Sequence, residues 1–265
     1  MLRTLSKLIL IVTLISIFLV PLCFLVLFSV SANWWWPELF PGKFGLEPWF
    51  RIFNQPQIKA ALWTTLWIGF LVIMLNLILA LPIAKALAHL DFKGKSIIDT
   101  VFMLPILIPT MGIAMGLHIT MIKYGLADSW VGVVLIHLLP TLPYSIRILR
   151  TAFEDLGVKW EEQARSLGAS GITLLRTLWL PLILPSIRAI IFLTFIISMS
   201  QYILTVIIGG GKVVTLALVY FPYFNSSNPG AIAVLSIIFA LLPLLIMGLW
   251  ELIIRILFPV KKLKS

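Results

Sequence analysis

Charge is scarce in this chain. Only 11% of its 265 residues are Asp, Glu, Lys or Arg, less than half of what an ordinary soluble domain carries, so a water-soluble globule is excluded. The single cysteine, Cys23, stands inside an apolar run, which leaves no disulfide framework and no cysteine-based metal centre. Acidic residues number ten against twenty basic ones, and every one lies in a loop or near the end of an apolar segment. The long apolar runs therefore lack the nucleophile with its base, or the paired aspartates, of an intramembrane enzyme. They also lack the midplane carboxylate of a proton-coupled secondary transporter, the alternative reading in which His118 or His137 would act as relay. A phosphate-binding loop is missing as well. Gly209-Gly210-Gly211-Lys212 runs on into Val213 rather than Ser or Thr, so the glycines read as a flexible turn.

What is present is apolar length. Residues near 8–30, 61–90, 99–122, 129–149, 186–208 and 230–258 each suffice for the roughly 20 helical residues that cross a ~30 Å hydrocarbon core. They predict an all-α polytopic membrane protein, one transmembrane domain over 1–265, embedded in the lipid bilayer. The first run is too long for a cleaved signal and reads as an uncleaved anchor. Assigning the loops alternately puts fifteen of the twenty Lys and Arg on one side and only Lys43, Arg51, Lys59, Lys123 and Lys212 on the other. The positive-inside rule then places both termini in the cytoplasm. Since the basic residues sit at segment ends, the net charge of +10 marks topology rather than nucleic-acid binding. Trp34-Trp35-Trp36, Trp49 and Trp130 fall at the outer boundary as an aromatic belt. Pro82, Pro105, Pro109, Pro140, Pro143 and Pro243 interrupt helical segments, and Gly112 with Gly116 offers a flat face for close helix contact.

The segment from about 150 to 185 is the one long cytoplasmic stretch. Its acidic start, through Glu154 and Asp155, reads as a short helix ended by Gly157. A second short helix carries Glu161 and Glu162 in its first turn, where carboxylates suit the helix dipole, and stops at Gly168. Trp160, Ala164 and Leu167 recur at three- to four-residue spacing and form an apolar ridge suited to a partner's groove.

Within this segment Glu162-Gln163-Ala164, three residues, Gly168, nine residues and Leu178-Trp179-Leu180-Pro181 resemble the signature of the transmembrane permeases of binding-protein-dependent type I ABC importers. That signature is Glu-Ala-Ala, three residues, Gly, nine residues, Ile-x-Leu-Pro. Gln163 and Leu178 depart from it without changing the register. Leu104-Pro105 to Gly116 and Leu142-Pro143-Tyr144 to Arg150 also look like their family counterparts, and the resemblance covers roughly residues 60 to 250. It implies the six-helix permease fold with a cytoplasmic coupling helix. It further implies a place in the bacterial plasma (inner) membrane, two separate ATPase subunits that carry ATP and magnesium, a second, related but different permease in a heterodimer, and an extracytoplasmic solute-binding protein. This chain would bind no cofactor and catalyse nothing. Glu161, Glu162, Ala164, Gly168, Leu180 and Pro181 become the expected ATPase-coupling residues, with Glu161 and Glu162 as its ionic contacts.

Polar groups inside apolar helices are costly and face a cavity or a partner. Ser198, Ser200, Gln201, Tyr202 and Asn76 are therefore the candidates for the solute pathway. Between Ser200 and Thr205 the chain looks most like permeases of the spermidine/putrescine type and their thiamine- and phosphonate-importing relatives. Gln201 stands where several polyamine members carry an acid, and an amide offers hydrogen bonds rather than charge. The expected solute is small, polar and organic. Asn225 to Gly230 is an outer loop of turn-forming residues, in the family a meeting place for the binding protein.

Overall fold

The computed structural model describes residues 2–32, 34, 38, 40–226 and 228–257. Trp35 and Trp36 of the expected belt, Ser227 of the outer loop, and Lys261, Lys262 and Lys264 lie outside them. Among the described residues there is no strand, only an isolated bridge between Ser31 and Phe44. The helices are α1 Leu2–Ser29, α2 Glu47–Phe53, α3 Pro56–His89, α4 Lys95–Leu107, α5 Thr110–Lys123 and α6 Trp130–Leu156. They continue with α7 Val158–Ser166, α8 Gly171–Leu174, α9 Leu180–Met199, α10 Tyr202–Gly209, α11 Leu216–Tyr220 and α12 Pro229–Leu257. A π-helical turn, Leu175–Trp179, joins α8 to α9, and a 3₁₀ turn, Phe221–Asn225, follows α11. Five helical stretches are long and apolar enough to cross a membrane, and the bent pair α4 and α5 makes a sixth if counted as one span.

Two expected spans are broken. The third, expected over 99–122, bends by 104° between α4 and α5, at Ile108, whose ψ of 131° is extended, and Pro109. Proline restricts the residue before it to extended backbone, which ends α4. The fifth, expected over 186–208, stops at Met199 and restarts at Tyr202 with no proline at the break. Gln201 takes φ −76° and ψ 84°, and the Tyr202 N–H donates to the Ser200 carbonyl at 2.9 Å, the geometry of an inverse γ-turn. Pro82, Pro105, Pro140, Pro143 and Pro243 lie within continuous helices, so of the six prolines expected to interrupt, Pro109 alone sits at a break. The expected separate acidic helix is the continuation of α6, which runs unbroken to Leu156 before Gly157 turns the chain at φ +70°.

The chain divides into two compact units. One holds 1–60 and 219–242, the other 61–218 and 243–265. In the first, Trp34 is buried and stacks on Phe28 with centroids 4.4 Å apart, while its indole Nε1–H donates to the Glu38 carbonyl at 2.8 Å. Trp34 is thus a packed residue rather than part of a lipid-facing belt, because its donor is satisfied from within. The apolar side chains of α1 stay open, Phe18 at 72% exposure. In this unit Tyr223 donates to Gln55 Oε1 at 3.0 Å.

In the second unit α6 packs chiefly on α9, and α10 lies on α5 and α6. Ile68 and Val72 of α3 meet Val133, Val134 and Leu138 of α6 in one core cluster. Ala114 of α5, Ile136 of α6 and Leu204 and Ile208 of α10 form another. The Gly112–Gly116 face is open: among the described residues a Cβ at Gly112 would meet only Ile108 of the preceding bend at 4.0 Å, and one at Gly116 nothing within 4 Å. The close approaches are instead at Gly69, against the Phe195 ring, and at Gly132, against the Leu126 carbonyl.

Candidate functional site

Two groups of residues outside the ordinary apolar core stand out, one on the short helix α7 and one inside the helix packing of α3, α6, α9 and α10. On α7 the local sequence explains the shape. Gly157 frees the chain from α6, Glu161 lies in the first turn, and Arg165 in the last, as the dipole favours. The helix closes with a Schellman arrangement, in which the Ala169 N–H donates to the Ala164 carbonyl at 3.0 Å and the Gly168 N–H to the Arg165 carbonyl at 2.9 Å. Gly168 adopts φ +83° with open space where a Cβ would be.

The surface this builds is apolar and acidic together. Trp160 is 60% exposed and Leu167 is 89% exposed, while Glu162 and Gln163 are exposed and line an open hollow with Lys159, Ser166 and Leu167. Ala164, half-buried, backs the ridge, and Leu180 and Pro181 open α9 beyond the π turn. Glu161 is differently placed. It is buried, and its carboxylate is engaged by Lys85 of α3 at 2.9 Å and by Arg165 at 2.9 Å. Burial pushes this carboxyl up, but the hydrogen bonds and charges of Lys85 and Arg165 outweigh it and hold it below the ordinary range. The ion pair therefore persists at neutral pH and is lost only as pH falls through that lowered value.

The interior group is a polar seam. His137, Thr141 and Ser145 stand at four-residue spacing on α6, all buried, so they share one helix face. Asn76 of α3 donates from Nδ2 to Thr141 Oγ1 at 2.6 Å. Ser145 and Thr194 of α9 bring their hydroxyls to 3.4 Å. His137 spans the broken fifth segment: Nδ1 is 2.9 Å from Ser198 Oγ on α9 and Nε2 is 3.0 Å from Thr205 Oγ1 on α10. Thr205 donates its own proton to the Gln201 carbonyl. It must therefore accept from His137, which fixes the Nε2–H tautomer and makes Ser198 the donor to Nδ1. An oriented chain of four groups thus ends on the backbone of the break. Both imidazole nitrogens are occupied by hydroxyls, and among the described residues Glu161, on α7, is the one buried carboxylate.

The structure sorts the five residues expected along the pathway into two kinds. Asn76 and Ser198 are buried members of the seam. Ser200 is exposed at the end of α9, and Gln201 and Tyr202 are half-buried at the break itself. Thr141, Ser145, Thr194 and Thr205 were not singled out from sequence. The signal was there in the 137, 141, 145 spacing, but buried threonines and serines in apolar helices also satisfy themselves on the preceding turn, as Thr65 does on the Ala61 carbonyl at 2.8 Å.

On the side of the Gly-rich turn, Gly210 sits at φ +53° against Asp128, whose Oδ1 would lie 1.8 Å from a Cβ there. Asp128 itself takes φ +58°, and its N–H donates to the Ile208 carbonyl at 2.8 Å. Lys212 closes the turn on Asp128 at 3.2 Å. The turn is thus built by close packing rather than by flexibility.

Comparison with known proteins agrees with this architecture. The chain is 25% identical over 205 residues to the sulfate transport system permease protein CysT of Salmonella typhimurium, covering 71% of this chain and 74% of the relative. It is 28% identical over 215 residues to the molybdenum transport system permease protein ModB of Escherichia coli, covering 74% and 93%. The fold matches a chain of a bacterial ABC transporter involved in the import of the acidic polysaccharide alginate, with TM-score 0.71, 16% identity and coverage of 99% and 97%. It also matches that transporter in complex with its alginate pentasaccharide-bound periplasmic protein, with TM-score 0.71, 14% identity and coverage of 97% and 94%. These relatives are sulfate and molybdate permeases, which corrects the spermidine/putrescine-type likeness expected from residues 200–205: six residues are too short a window to set a solute class. Residues 76–257 match the family described as the binding-protein-dependent transport system inner membrane component, and the chain belongs to that family as a permease subunit of an ABC importer.

Proposed function

We propose that this permease subunit forms part of the translocation pathway for a small inorganic oxyanion of the sulfate or molybdate class, delivered by an extracytoplasmic binding protein. Uptake is powered by two ATPase subunits that hold ATP and magnesium and seat on the α7 surface at Glu162 and Gly168. A second permease chain completes the pathway. The observation that carries the solute class is a likeness to permeases for sulfate and for molybdate in a chain whose interior seam holds, among the described residues, no carboxylate. An anion leaving water is opposed by any fixed negative charge along its path, and the seam presents none. The alginate importer crystallised with its periplasmic protein supports the assignment of a binding-protein partner.

The test is uptake of radiolabelled sulfate, molybdate and spermidine with Gln201→Ala and Gln201→Glu. A carboxylate at the break would meet an oxyanion at a cost of about 4 kcal/mol for charges 4 Å apart at an effective dielectric of ~20. Gln201→Glu should therefore cut anion uptake by an order of magnitude or more, and Gln201→Ala should cost far less. Anion uptake that survives Gln201→Glu unchanged would remove Gln201 from the pathway. Spermidine uptake by the wild type would overturn the solute class.

The orientation proposed with this function puts both termini in the cytoplasm. In a Cys23→Ser background, Lys43→Cys and Asn225→Cys should react with an impermeant thiol reagent in intact cells. Lys93→Cys and Lys159→Cys should react only after permeabilisation. The reverse pattern would invert the orientation and move α7 away from any cytoplasmic ATPase.

A further inference from the structure

The neighbouring carboxylates of α7 have different surroundings. Glu162 faces solvent, whereas Glu161 is 9% exposed and its oxygens belong to cations of the same chain. Lys85 Nζ lies 3.0 Å from Oε1 and 2.9 Å from Oε2, and Arg165 reaches Oε1 through Nε at 3.1 Å and Nη2 at 2.9 Å. Lys85 sits near the end of α3, the long helix that also carries Asn76. Its ammonium rests 3.6 Å from the centroid of the Trp179 ring, at the end of the π-helical turn. Trp179 meets Phe153 edge-on at 6.3 Å, and Phe153, fully buried, meets His89 of α3 edge-on at 5.9 Å. The His89 Nε2 donates to the Phe153 carbonyl at 2.9 Å, since a carbonyl can only accept.

Four segments therefore converge on one knot: the end of α3, the end of α6, helix α7 and the π turn. Its centre is an ammonium shared between a carboxylate and an indole face, an arrangement strengthened by partial removal from water. Taking away either partner leaves an uncompensated charge. Packed rings around it resist small displacements, so the segments shift together rather than slide. We infer that Lys85 and Glu161 are positioning residues for energy coupling, tying the α7 surface to α3 so that a displacement imposed on α7 is delivered along α3 to the Asn76–Thr141 contact. Glu161 then faces inward as the fastening, and Glu162 faces the ATPase. The inference rests on the proposed seating of the ATPase on α7.

The experiment uses the assembled transporter in proteoliposomes, with sulfate and molybdate as probes. It reads three quantities: the ATPase retained through purification, the stimulation of hydrolysis by binding protein, and uptake. Glu161→Gln and Lys85→Met should retain the ATPase as the wild type does, lose the stimulation, and lose about tenfold in uptake, within the usual range of coupling between sites. The swap Lys85→Glu with Glu161→Lys restores the pair, without the Trp179 contact, and should recover stimulation above either single variant. Normal stimulation and uptake in Glu161→Gln would overturn the inference. Loss of the ATPase from Glu161→Gln would also overturn it, by making Glu161 a partner contact. If a single variant fails to reach the membrane, the swap decides: inserted and stimulated supports the knot, inserted and unstimulated refutes it. A wild-type chain that retains no ATPase would instead refute the α7 seating itself.

Discussion

Gly168→Arg is expected to abolish uptake while leaving the permease at normal levels in the membrane. The residue holds φ +83° with nothing of its own chain within 4 Å of a built Cβ, so a large side chain meets no clash inside the subunit. The internal cost is the left-handed backbone of a non-glycine residue, roughly 1–2 kcal/mol, at the edge of a short exposed helix. Anything beyond that loss must come from a partner that needs backbone to approach closely at this point. Gly168→Ala isolates the backbone strain and should transport better than Gly168→Arg. Glu162→Lys should be damaging by repulsion, whereas Glu162→Ala should be mild, because one exposed ion pair contributes no more than ~1 kcal/mol. Uptake by Gly168→Arg at the wild-type rate, measured against chain level by immunoblot, would remove α7 as the ATPase seat.

The second large effect concerns folding. Gly132→Ala should lower the amount of membrane-integrated chain and its thermal midpoint in detergent. A Cβ at Gly132 would lie 2.0 Å from the Leu126 carbonyl oxygen and 3.2 Å from Ile208. That carbonyl cannot easily yield. It accepts from the Ser129 hydroxyl at 2.7 Å, and the Leu126 N–H is held by the Met121 carbonyl at 2.8 Å. Ser129 also caps α6 by accepting from the Gly132 N–H at 3.1 Å, so relief of the clash costs the cap as well. Overpacking of this kind costs about 1–3 kcal/mol, and more when backbone must move. Gly116→Ala, which meets nothing within 4 Å, is the matched control and should leave both readouts unchanged. Equal midpoints for the two variants would show that the α5–α6 turn relaxes freely. Because Gly132 makes none of the seam's hydrogen bonds, uptake per integrated Gly132→Ala molecule should stay near the wild type.

Both predictions depend on glycines, and they separate what is legible in sequence from what is not. Gly168 announced itself through its spacing from Glu162 and Pro181, and φ is a local property that a helix stop already implies. Gly132 carried no such signal. Its constraint comes from a carbonyl six residues earlier and a side chain on α10, and no periodicity encodes a contact between segments. Gly112 and Gly116 show the converse: their spacing suggests helix contact, yet among the described residues a Cβ at Gly116 meets nothing within 4 Å and one at Gly112 only Ile108.

The sequence by itself determined the membrane class, the helical content, the positions of most spans, and the motif on α7 that carries the family. These follow from apolar run length, proline and glycine positions, and fixed spacing, all of which act over a few helical turns. Tertiary structure decided the rest. The fifth span breaks at Gln201 without a proline, because His137 of α6 holds the two halves from outside the segment, through Ser198 on one and Thr205 on the other. Glu161 and Glu162, adjacent and chemically alike, part company because Lys85, 76 residues away in the chain, reaches one carboxylate and not the other. A hydrogen bond or ion pair between distant segments has no spacing rule, since its partners are brought together by the burial of apolar faces that many polar patterns would permit.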